Sequence, residues 1–414
     1  MIRIARGVVL VLTLAVSALA QAPHPRIWLD DATTTRLNGL VTANDPTWVA
    51  LKAQADQLLA YTVPAYDANA CSANQICFTY GGVGWLNAVQ PLGLAYRMTG
   101  NVAYANQVKA ILNAMAAAGT APMVWNSGYA SRGAVLALAL GYDWVYDQLN
   151  DADKANYASV LDTWWTWTQT SGGAYAWYGV PNPDDNYYGG VIVGFGLAAL
   201  AVEGDDSNAS AMQSAILTSF NTYVMGRTGI LQQSALGGYP IEGFNYGHTS
   251  FMRLIQYMWG MKTAGKSDLL SASGTWIRTL AKSLLYNLKP DMWSTTDEGA
   301  FTGSYSHVLA QNYPLFLCNI LSQYKPCREG QWLKWMFSNM AAVPIPGGTP
   351  ISYTPSVFEN FLQHGSKGSK LRRSTQRLFL SWRQAPLRAP ELDARIRVHD
   401  VQRGNQDYER RKLY

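Results

Sequence analysis

The chain is poor in histidine and cysteine and has no long apolar run in its interior. Only 5 histidines and 4 cysteines occur among 414 residues, and none of the histidines lies at metal-ligand spacing. After the first twenty residues, no stretch approaches the roughly 18 uninterrupted apolar residues of a membrane helix. A Gly-x-Ser-x-Gly elbow is missing, and the glycine-rich stretch 189–196 lacks the preceding strand of a dinucleotide site. We therefore expect no metal, no cofactor and no membrane insertion of the mature chain.

Charge is also scarce, since Asp, Glu, Lys and Arg make up 14% of the residues. It is unevenly distributed: 13 basic and 5 acidic residues fall between Gly365 and Tyr414, which leaves 19 basic and 22 acidic residues before them. A nucleic-acid-binding protein needs basic residues along a folded face, with stacking partners. Because the body is nearly neutral, we expect no nucleic-acid partner.

The first twenty residues have the three-part organisation of a secretory signal peptide. Arg3 and Arg6 precede an apolar run over 8–18, and small residues end at Ala20 before Gln21. The apolar run is too short to span a bilayer. These features predict a signal peptide over 1–20 and a secreted or periplasmic mature protein.

The four cysteines form two pairs that are close in the sequence. Cys71 lies near Cys77, and Cys318 lies near Cys327. In an oxidising compartment such pairs favour two local disulfides, although four cysteines permit three pairings.

The segment from Asp31 to Met340 reads as successive helices joined by Gly, Pro, Asn and Asp, with little strand-like alternation. Helices rich in Gly and Ala alternate with more polar ones, which predicts two layers. The expected fold is all-α: an incomplete α/α toroid of antiparallel helix pairs over 21–345, with an α-solenoid as the alternative.

Residues 346–414 are expected to form a linker and an irregular Arg-rich tail, and the composition change after His364 suggests a truncated or frame-shifted product. The predicted helices are 47–61, 86–99, 103–117, 130–148, 152–168, 187–202, 209–225, 247–263, 268–287, 305–323 and 330–340.

Aromatic residues give the chain its strongest compositional bias, with 15 Trp, 24 Tyr and 11 Phe. Aromatic faces stack on the C–H faces of sugar rings, whereas packing in a core is their more frequent role. Trp164, Trp165 and Trp167 point in different directions on one helix, so at least one is expected in the core. Trp177 and Tyr178, in the following loop, are the better candidates for binding a sugar.

A polar segment, 183–188, stands where a Gly-rich helix begins. A helix N-terminus favours anions, so Asn186 and the neighbouring backbone N–H groups are candidates for binding a substrate carboxylate, with Tyr187 beside them. The alternative is that Asp185 or Asn186 is simply the N-cap.

A Gly-broken loop at 237–248 carries Glu242, Tyr246 and His248 and leads into a helix. If that helix begins near Tyr246, then Tyr246, Arg253 and Tyr257 share one face. In an acidic-sugar site, Arg253 would bind the carboxylate and Tyr246 would transfer protons. The alternative is an aromatic core stripe from which Arg253 snorkels.

Four stretches together resemble the heparinase II/III-like polysaccharide lyases and the related alginate lyases. They are 24–26 (His-Pro-Arg), 138–149, the Asn186 segment and the Gly-Tyr-Pro…Glu-Gly…Tyr segment at 238–246. The similarity spans roughly 24–345, and the order of the motifs carries it more than any single one.

The resemblance implies cleavage of a uronic acid linkage by β-elimination. In that family an Asn or His at the position of Asn186 neutralises the uronate carboxylate, and a Tyr at the position of Tyr246 transfers protons. Glu242 would orient the loop or bind a hydroxyl. The expected partner is an acidic polysaccharide or oligosaccharide.

The sequence departs from the family pattern in two respects. Gly237-Gly238 stands where Asp-Gly is usual, and no C-terminal β-sandwich follows to supply a catalytic His, a role that His248 or His307 would have to fill. Two alternatives therefore stay open. One is an inverting glycoside hydrolase that uses two of the acids Asp184, Asp185, Glu242, Asp297 and Glu298. The other is a non-catalytic glycan-binding protein.

Overall fold

The computed structural model describes residues 22–170, 182–240 and 242–287, together with Glu329 and Leu362. For 244–249 it describes the backbone alone. Within these residues the regular elements are all helical and no strand occurs, which confirms the all-α class. The α-helices are α1 (Asp31–Thr42), α2 (Pro46–Leu59), α3 (Val83–Thr99), α4 (Val102–Ala117), α5 (Ala121–Val124), α6 (Ala134–Trp144), α7 (Asp151–Thr170), α8 (Asn186–Val202), α9 (Ala209–Phe220), α10 (Gly243–Thr263), α11 (Leu269–Ala272) and α12 (Gly274–Asn287).

Most predicted helices are present, but two of them are interrupted. The segment predicted as one helix over 130–148 begins inside a 3-10 turn at Trp125–Arg132 and continues as α6 and a second 3-10 turn at Tyr146–Gln148. The helix predicted over 268–287 breaks at Ser273 into α11 and α12. The helices predicted over 305–323 and 330–340 lie outside the described residues.

The centre of the fold is a row of helices in which α8 packs between α6 and α10, with α3 on the far side of α6. Every residue of α6 is buried, and so is every residue of α8 except Tyr187. The helices α4, α7 and α9 pack against members of this row. A uniformly apolar helix is stable in water only when neighbours cover all its faces, so α6 and α8 form the core.

Glycines bring the neighbours of α8 close to its backbone. A Cβ at Gly194 would lie 2.2 Å from the carbonyl oxygen of Ser131, and one at Gly196 would lie 2.5 Å from the Tyr257 ring. The Gly-rich composition of α8 is therefore a packing requirement on two sides, towards the Trp125–Arg132 turn and towards α10.

The helix starts follow their capping residues. Asp185 is the N-cap of α8, because its Oδ1 accepts from the backbone N–H of Tyr187 at 2.8 Å. At the start of α7, Asn150 and Asp153 exchange side-chain and backbone hydrogen bonds in a reciprocal pair. Asp185 thus takes the capping role that the sequence left open, and Asn186 becomes the first helical residue.

The segment around Arg26 is fastened to the central helices. The fully buried Asp143 carboxylate of α6 accepts from the backbone N–H groups of Arg26 and Ile27 and lies 2.6 Å from the His24 ring. The Arg26 guanidinium donates to the Leu200 carbonyl near the end of α8. His24 therefore has a structural role, because its ring is held against the Asp143 carboxylate.

Other predictions from the sequence have mixed outcomes. Cys71 and Cys77 form a disulfide, as expected from their spacing. Trp164 is fully buried, which confirms that at least one of the three neighbouring tryptophans lies in the core. None of the helices in the described ranges combines the length and apolar character needed to cross a membrane. The signal peptide, the pair Cys318 and Cys327 and the Arg-rich tail lie outside the described residues.

Candidate functional site

A polar cluster lies where the Trp125–Arg132 turn, the N-terminus of α8 and the start of α10 meet. Arg132 ends the 3-10 turn, Asn186 begins α8, and Glu242 directly precedes α10. Arg253 projects from α10 towards Gly189 of α8. We call Arg132, Asn186, Glu242 and Arg253 the polar cluster.

Hydrogen bonds connect the members of the polar cluster in a chain. The Arg132 guanidinium donates to Oδ1 of Asn186. The Asn186 Nδ2 donates to Oε1 of Glu242 at 3.2 Å, and the Asn186 backbone N–H donates to Oε2 at 2.8 Å. Because both ends of the amide are engaged and Asn186 is only 4% exposed, its side chain is held in one orientation.

Glu242 has an environment suited to proton exchange near neutral pH. Burial, followed by the nearby negative charge of Asp185, raises its pKa from 4.5 to about 7. The hydrogen bonds from Asn186, and a longer one of 3.4 Å from Ser250, act in the opposite direction because they favour the carboxylate. A carboxyl group balanced in this way is able to gain and lose a proton in the range where most enzymes work.

Arg132 is 6% exposed and is covered by aromatic faces. Its guanidinium carbon lies 3.6 Å from the centre of the Tyr129 ring and 4.8 Å from that of Tyr187. Burial lowers its pKa from the usual arginine value. The cation–π contacts supply part of the stabilisation that water would give to an exposed guanidinium.

Arg253 is the second cation of the polar cluster. Its Nη1 donates to the backbone carbonyl of Asn186 at 3.3 Å. Burial, and then the like charge of Arg132, lower the pKa of Arg253 well below the usual arginine value. Two guanidinium groups beside the N-terminus of a 17-residue helix make this region favourable for an anion.

Two adjacent glycines allow the elements of the site to approach each other. A Cβ at Gly189 would lie 3.1 Å from the Ser250 carbonyl oxygen, and one at Gly190 would lie 3.0 Å from the Cβ of Arg132. The first glycine faces α10 and the second faces the Trp125–Arg132 turn. Larger residues at these positions would push apart the elements that carry the cluster.

The structure brings together three of the residues singled out in the sequence, namely Asn186, Glu242 and Arg253. Tyr187 is half-buried at the edge of the cluster, where its ring faces Tyr129. Tyr257 lies elsewhere: it is fully buried against Phe220, and its hydroxyl accepts from Gln213.

Four further candidates have side chains outside the described residues. Tyr246 and His248 lie in the first two turns of α10, where the backbone alone is described. Trp177 and Tyr178 belong to the segment 171–181, which also lies outside the described residues.

Sequence reasoning missed Arg132 and its neighbour Tyr129. One signal was present, because Arg132 is the only charged residue between Lys109 and Asp143. A lone charge in a long uncharged stretch is expected to be either paired in the interior or functional. No feature of the sequence pointed to Ser250 as a residue of the site.

The polar cluster contains a single carboxyl group, that of Glu242, beside two cations. Among the residues that the structure describes, no group of three or more His, Cys, Asp or Glu side chains is arranged to hold a metal ion.

A comparison with protein-family models and a comparison with curated proteins both return no match for this chain. The resemblance to the heparinase II/III-like lyases therefore rests on the four sequence stretches alone.

Proposed function

We propose that the chain is an exported polysaccharide lyase of the heparinase II/III-like type, which cleaves a uronic acid linkage by β-elimination. We further propose that its helices form an incomplete toroid of antiparallel pairs. The observation that carries the proposal is the polar cluster, because two cations, an oriented amide and a carboxyl group with a pKa of about 7 converge at one helix N-terminus.

The chemistry requires the substrate carboxylate to be neutralised before the adjacent C5 proton can leave. The guanidinium groups of Arg132 and Arg253 and the N-terminus of α8 supply positive potential for that purpose. Asn186 donates one Nδ2 hydrogen to Glu242, and its amide has a second hydrogen that is able to meet the carboxylate. Neutralisation makes the C5–H bond more acidic.

In the elimination step a base removes the C5 proton, the electron pair forms the C4–C5 double bond, and the C4–O bond breaks. The leaving oxygen then takes a proton. Following the resemblance, we assign the protonation of the leaving oxygen to Tyr246, whose backbone lies in the first turn of α10, just after Glu242. We assign the removal of the C5 proton to His248, two residues further along α10, in place of the catalytic His of the family.

Glu242 acts as a positioning residue in this proposal. Its two carboxyl oxygens accept from the side chain and the backbone of Asn186, so it fixes the amide that meets the substrate. A change in its protonation alters these two hydrogen bonds directly. We therefore expect the rate to depend on pH near neutrality.

An inverting glycoside hydrolase is the second candidate, and one observation favours it. Glu242 has a raised pKa and lies close enough to Asp185 to be affected by its charge, as in an acid and base pair. Asp185 also caps α8, however, which occupies one of its oxygens.

The products separate the two reactions. Purified mature protein is incubated with alginate, chondroitin and pectate, and the oligosaccharides are measured by mass spectrometry. Elimination gives a new non-reducing end that is lighter by one water molecule than the hydrolysis product. Products of the lighter mass support the lyase; products with water added support the hydrolase; binding without any product supports a glycan-binding protein.

A further inference from the structure

A group of aromatic side chains lies beside the polar cluster, and the function proposed above gives it no contact with the substrate. It consists of Tyr80, Trp125, Tyr129 and Tyr187, and we call it the aromatic platform. We propose that the aromatic platform is a subsite for the sugar unit next to the one that reacts. This inference rests on the proposed function, because it places a neighbouring unit of the same saccharide chain.

The rings of the platform form a continuous cluster, in which Tyr129 is buried and the other three rings reach solvent. Tyr80 packs edge-to-face on Trp125 with ring centres 5.5 Å apart, and on Tyr129 with centres 5.0 Å apart. Tyr129 packs in the same way on Tyr187, at 5.1 Å. Edge-to-face packing of this kind fixes the direction of each ring, so the platform is preorganised for a ligand.

The outer part of the platform is accessible to solvent. Tyr80 is 59% exposed, and Trp125 and Tyr187 are half-buried. The exposed ring of Tyr80 leaves this end of the platform open to a ligand, and contact with a ligand would bury apolar area and be favourable.

The platform combines apolar faces with polar edges. The Tyr80 hydroxyl donates to the Tyr129 hydroxyl at 2.8 Å, and the exposed polar side chain of Asn126 lies near the hydroxyl of Tyr187. A pyranose ring has the complementary pattern, with C–H groups on its faces and hydroxyl groups around its edge. This mixture fits a saccharide better than an apolar peptide or a lipid chain, which would leave the polar edges without partners.

The backbone that carries the platform is held in an uncommon conformation. Thr79, Asn126 and Ser127 all have positive φ, at 46°, 46° and 53°, and all three are exposed. Thr79 and Ser127 are disfavoured in this region by about 1 kcal/mol or more each, whereas asparagine adopts it more readily. These residues directly precede Tyr80 or follow Trp125, so the strained backbone sets the positions of the two outermost rings.

The aromatic platform is continuous with the polar cluster. Tyr129 and Tyr187 cover the Arg132 guanidinium, which donates to Asn186. Tyr187 is also the next residue after Asn186 in the chain. A sugar ring on the platform would therefore lie beside the unit whose carboxylate meets the cluster, and the cation behind the rings favours an acidic saccharide.

The test measures how binding depends on the length of the saccharide. The monosaccharide uronates and the saturated tetra- and hexasaccharides of alginate and of chondroitin are titrated by calorimetry into mature protein with the wild-type platform, Tyr80→Ala, Trp125→Ala or Trp125→Phe. Each protein also carries Tyr246→Phe, so that the saccharides are bound but not cleaved. Loss of one stacked ring is expected to weaken binding of the longer oligosaccharides about tenfold. Binding of the monosaccharide, which fills only the polar cluster, should change less than twofold.

Two controls show whether an effect belongs to the platform. Tyr286→Ala removes an equally exposed tyrosine from α12 and should leave every affinity unchanged. Trp125→Phe keeps a stacking face and should retain most of the affinity for the hexasaccharide. Circular dichroism of each variant verifies that the helices are intact.

Three results overturn the inference. If Tyr80→Ala and Trp125→Ala bind all lengths as the wild type does, the platform is not a subsite, while elimination by the wild type would keep the proposed function. If they lose affinity equally for all lengths, the rings belong to the site of the reacting unit. A wild type that neither binds nor cleaves any of these saccharides overturns both proposals.

Discussion

At the scale of single residues, the site contains a buried cation, the Arg132 guanidinium, that is stabilised without a carboxylate partner among the described residues. Arg132 makes a hydrogen bond to Asn186 and contacts two aromatic faces, whereas no carboxylate pairs directly with it among the described residues. Its Nε has no hydrogen-bond partner there. Structural arginines in protein interiors are usually paired with a carboxylate, so this arrangement favours a functional role.

Replacement of Arg132 tests that role. In Arg132→Met, an apolar side chain of similar length replaces the cation, so the free energy of unfolding should change by less than about 2 kcal/mol. Turnover should fall by roughly 100-fold or more, because the positive potential at the substrate carboxylate is lost. The two quantities are measured by urea unfolding and by the rate of product formation.

Arg97→Met serves as the matched control, since Arg97 pairs with Asp147 at the surface of α3. It should leave turnover within about twofold of the wild type. Equal turnover in Arg132→Met and the wild type would show that Arg132 has only a packing role.

The raised pKa of Glu242 predicts that the free energy of unfolding depends on pH. Its pKa is raised to about 7 in the folded chain, from 4.5, so the folded state keeps its proton while the unfolded state loses it. The stabilising contribution is therefore complete below about pH 4.5 and is lost as the pH rises through 7, with an upper limit of roughly 3 kcal/mol.

The measurement compares the wild type with Glu242→Gln by urea unfolding between about pH 4.5 and 8. The glutamine cannot titrate, so the stability of the wild type relative to the variant should decline across this interval. Parallel curves for the two proteins would contradict the raised pKa.

At the scale of elements, the sequence predicts the helices well and their interruptions poorly. Apolar periodicity and caps such as Asn150 and Asp185 predict where α7 and α8 begin. The break at Trp125–Arg132 depends on positive φ at Asn126, Ser127 and Gly128. Of these residue types only Asn and Gly commonly adopt positive φ, so the sequence gives a weak indication of the break.

Only part of the candidate site could be predicted from the sequence. Asn186 and Glu242 stand next to helix starts, where polar residues attract notice. Arg132 reaches them from a turn far earlier in the chain, and only tertiary packing brings it there. The resemblance to the lyases pointed to Asn186 and Tyr246 but not to the arginine or to the aromatic platform.

The close packing of α8 leads to a prediction about its glycines. In Gly194→Ala the new Cβ would lie 2.2 Å from the backbone carbonyl of Ser131, and neither backbone is free to move far. We expect the variant to be destabilised by roughly 2–3 kcal/mol and to lose activity, because the turn that ends in Arg132 is displaced.

Gly39→Ala is the matched control within α1. No atom lies within 4 Å of the position that the new methyl group would take, so the substitution should be neutral or stabilising by up to about 1 kcal/mol. Urea unfolding of both variants checks the prediction. Similar stabilities for the two variants would mean that α8 tolerates a wider spacing than its contacts indicate.

At the scale of the whole molecule, residues 24–28 connect three helices of the central row. Asp143 of α6 holds their backbone, Arg26 reaches the Leu200 carbonyl of α8, and the Trp28 indole donates to the Gln256 carbonyl of α10. These contacts join parts of the chain that are far apart in the sequence. The segment therefore helps to hold α6, α8 and α10 in the arrangement that the polar cluster requires.

Asp143→Asn tests this connection. The amide group of asparagine would place N–H donors against the N–H groups of Arg26 and Ile27, so we expect a loss of roughly 3–5 kcal/mol in the free energy of unfolding. Asp147→Asn, at an exposed position in the next turn, should cost less than about 1 kcal/mol. A small effect of Asp143→Asn would show that the segment is dispensable for the fold.

The most direct test of the central claim follows the absorbance of an unsaturated uronate in the ultraviolet, with mature protein and a panel of acidic polysaccharides. Wild-type protein is compared with Tyr246→Phe, which removes only the hydroxyl group, and with Arg132→Met, which removes the positive charge. Elimination at the polar cluster predicts a steady rise for the wild type that both variants abolish while their helical content stays intact. A wild type that cleaves these polymers with no rise in absorbance, or a rise that both variants preserve, would contradict the account.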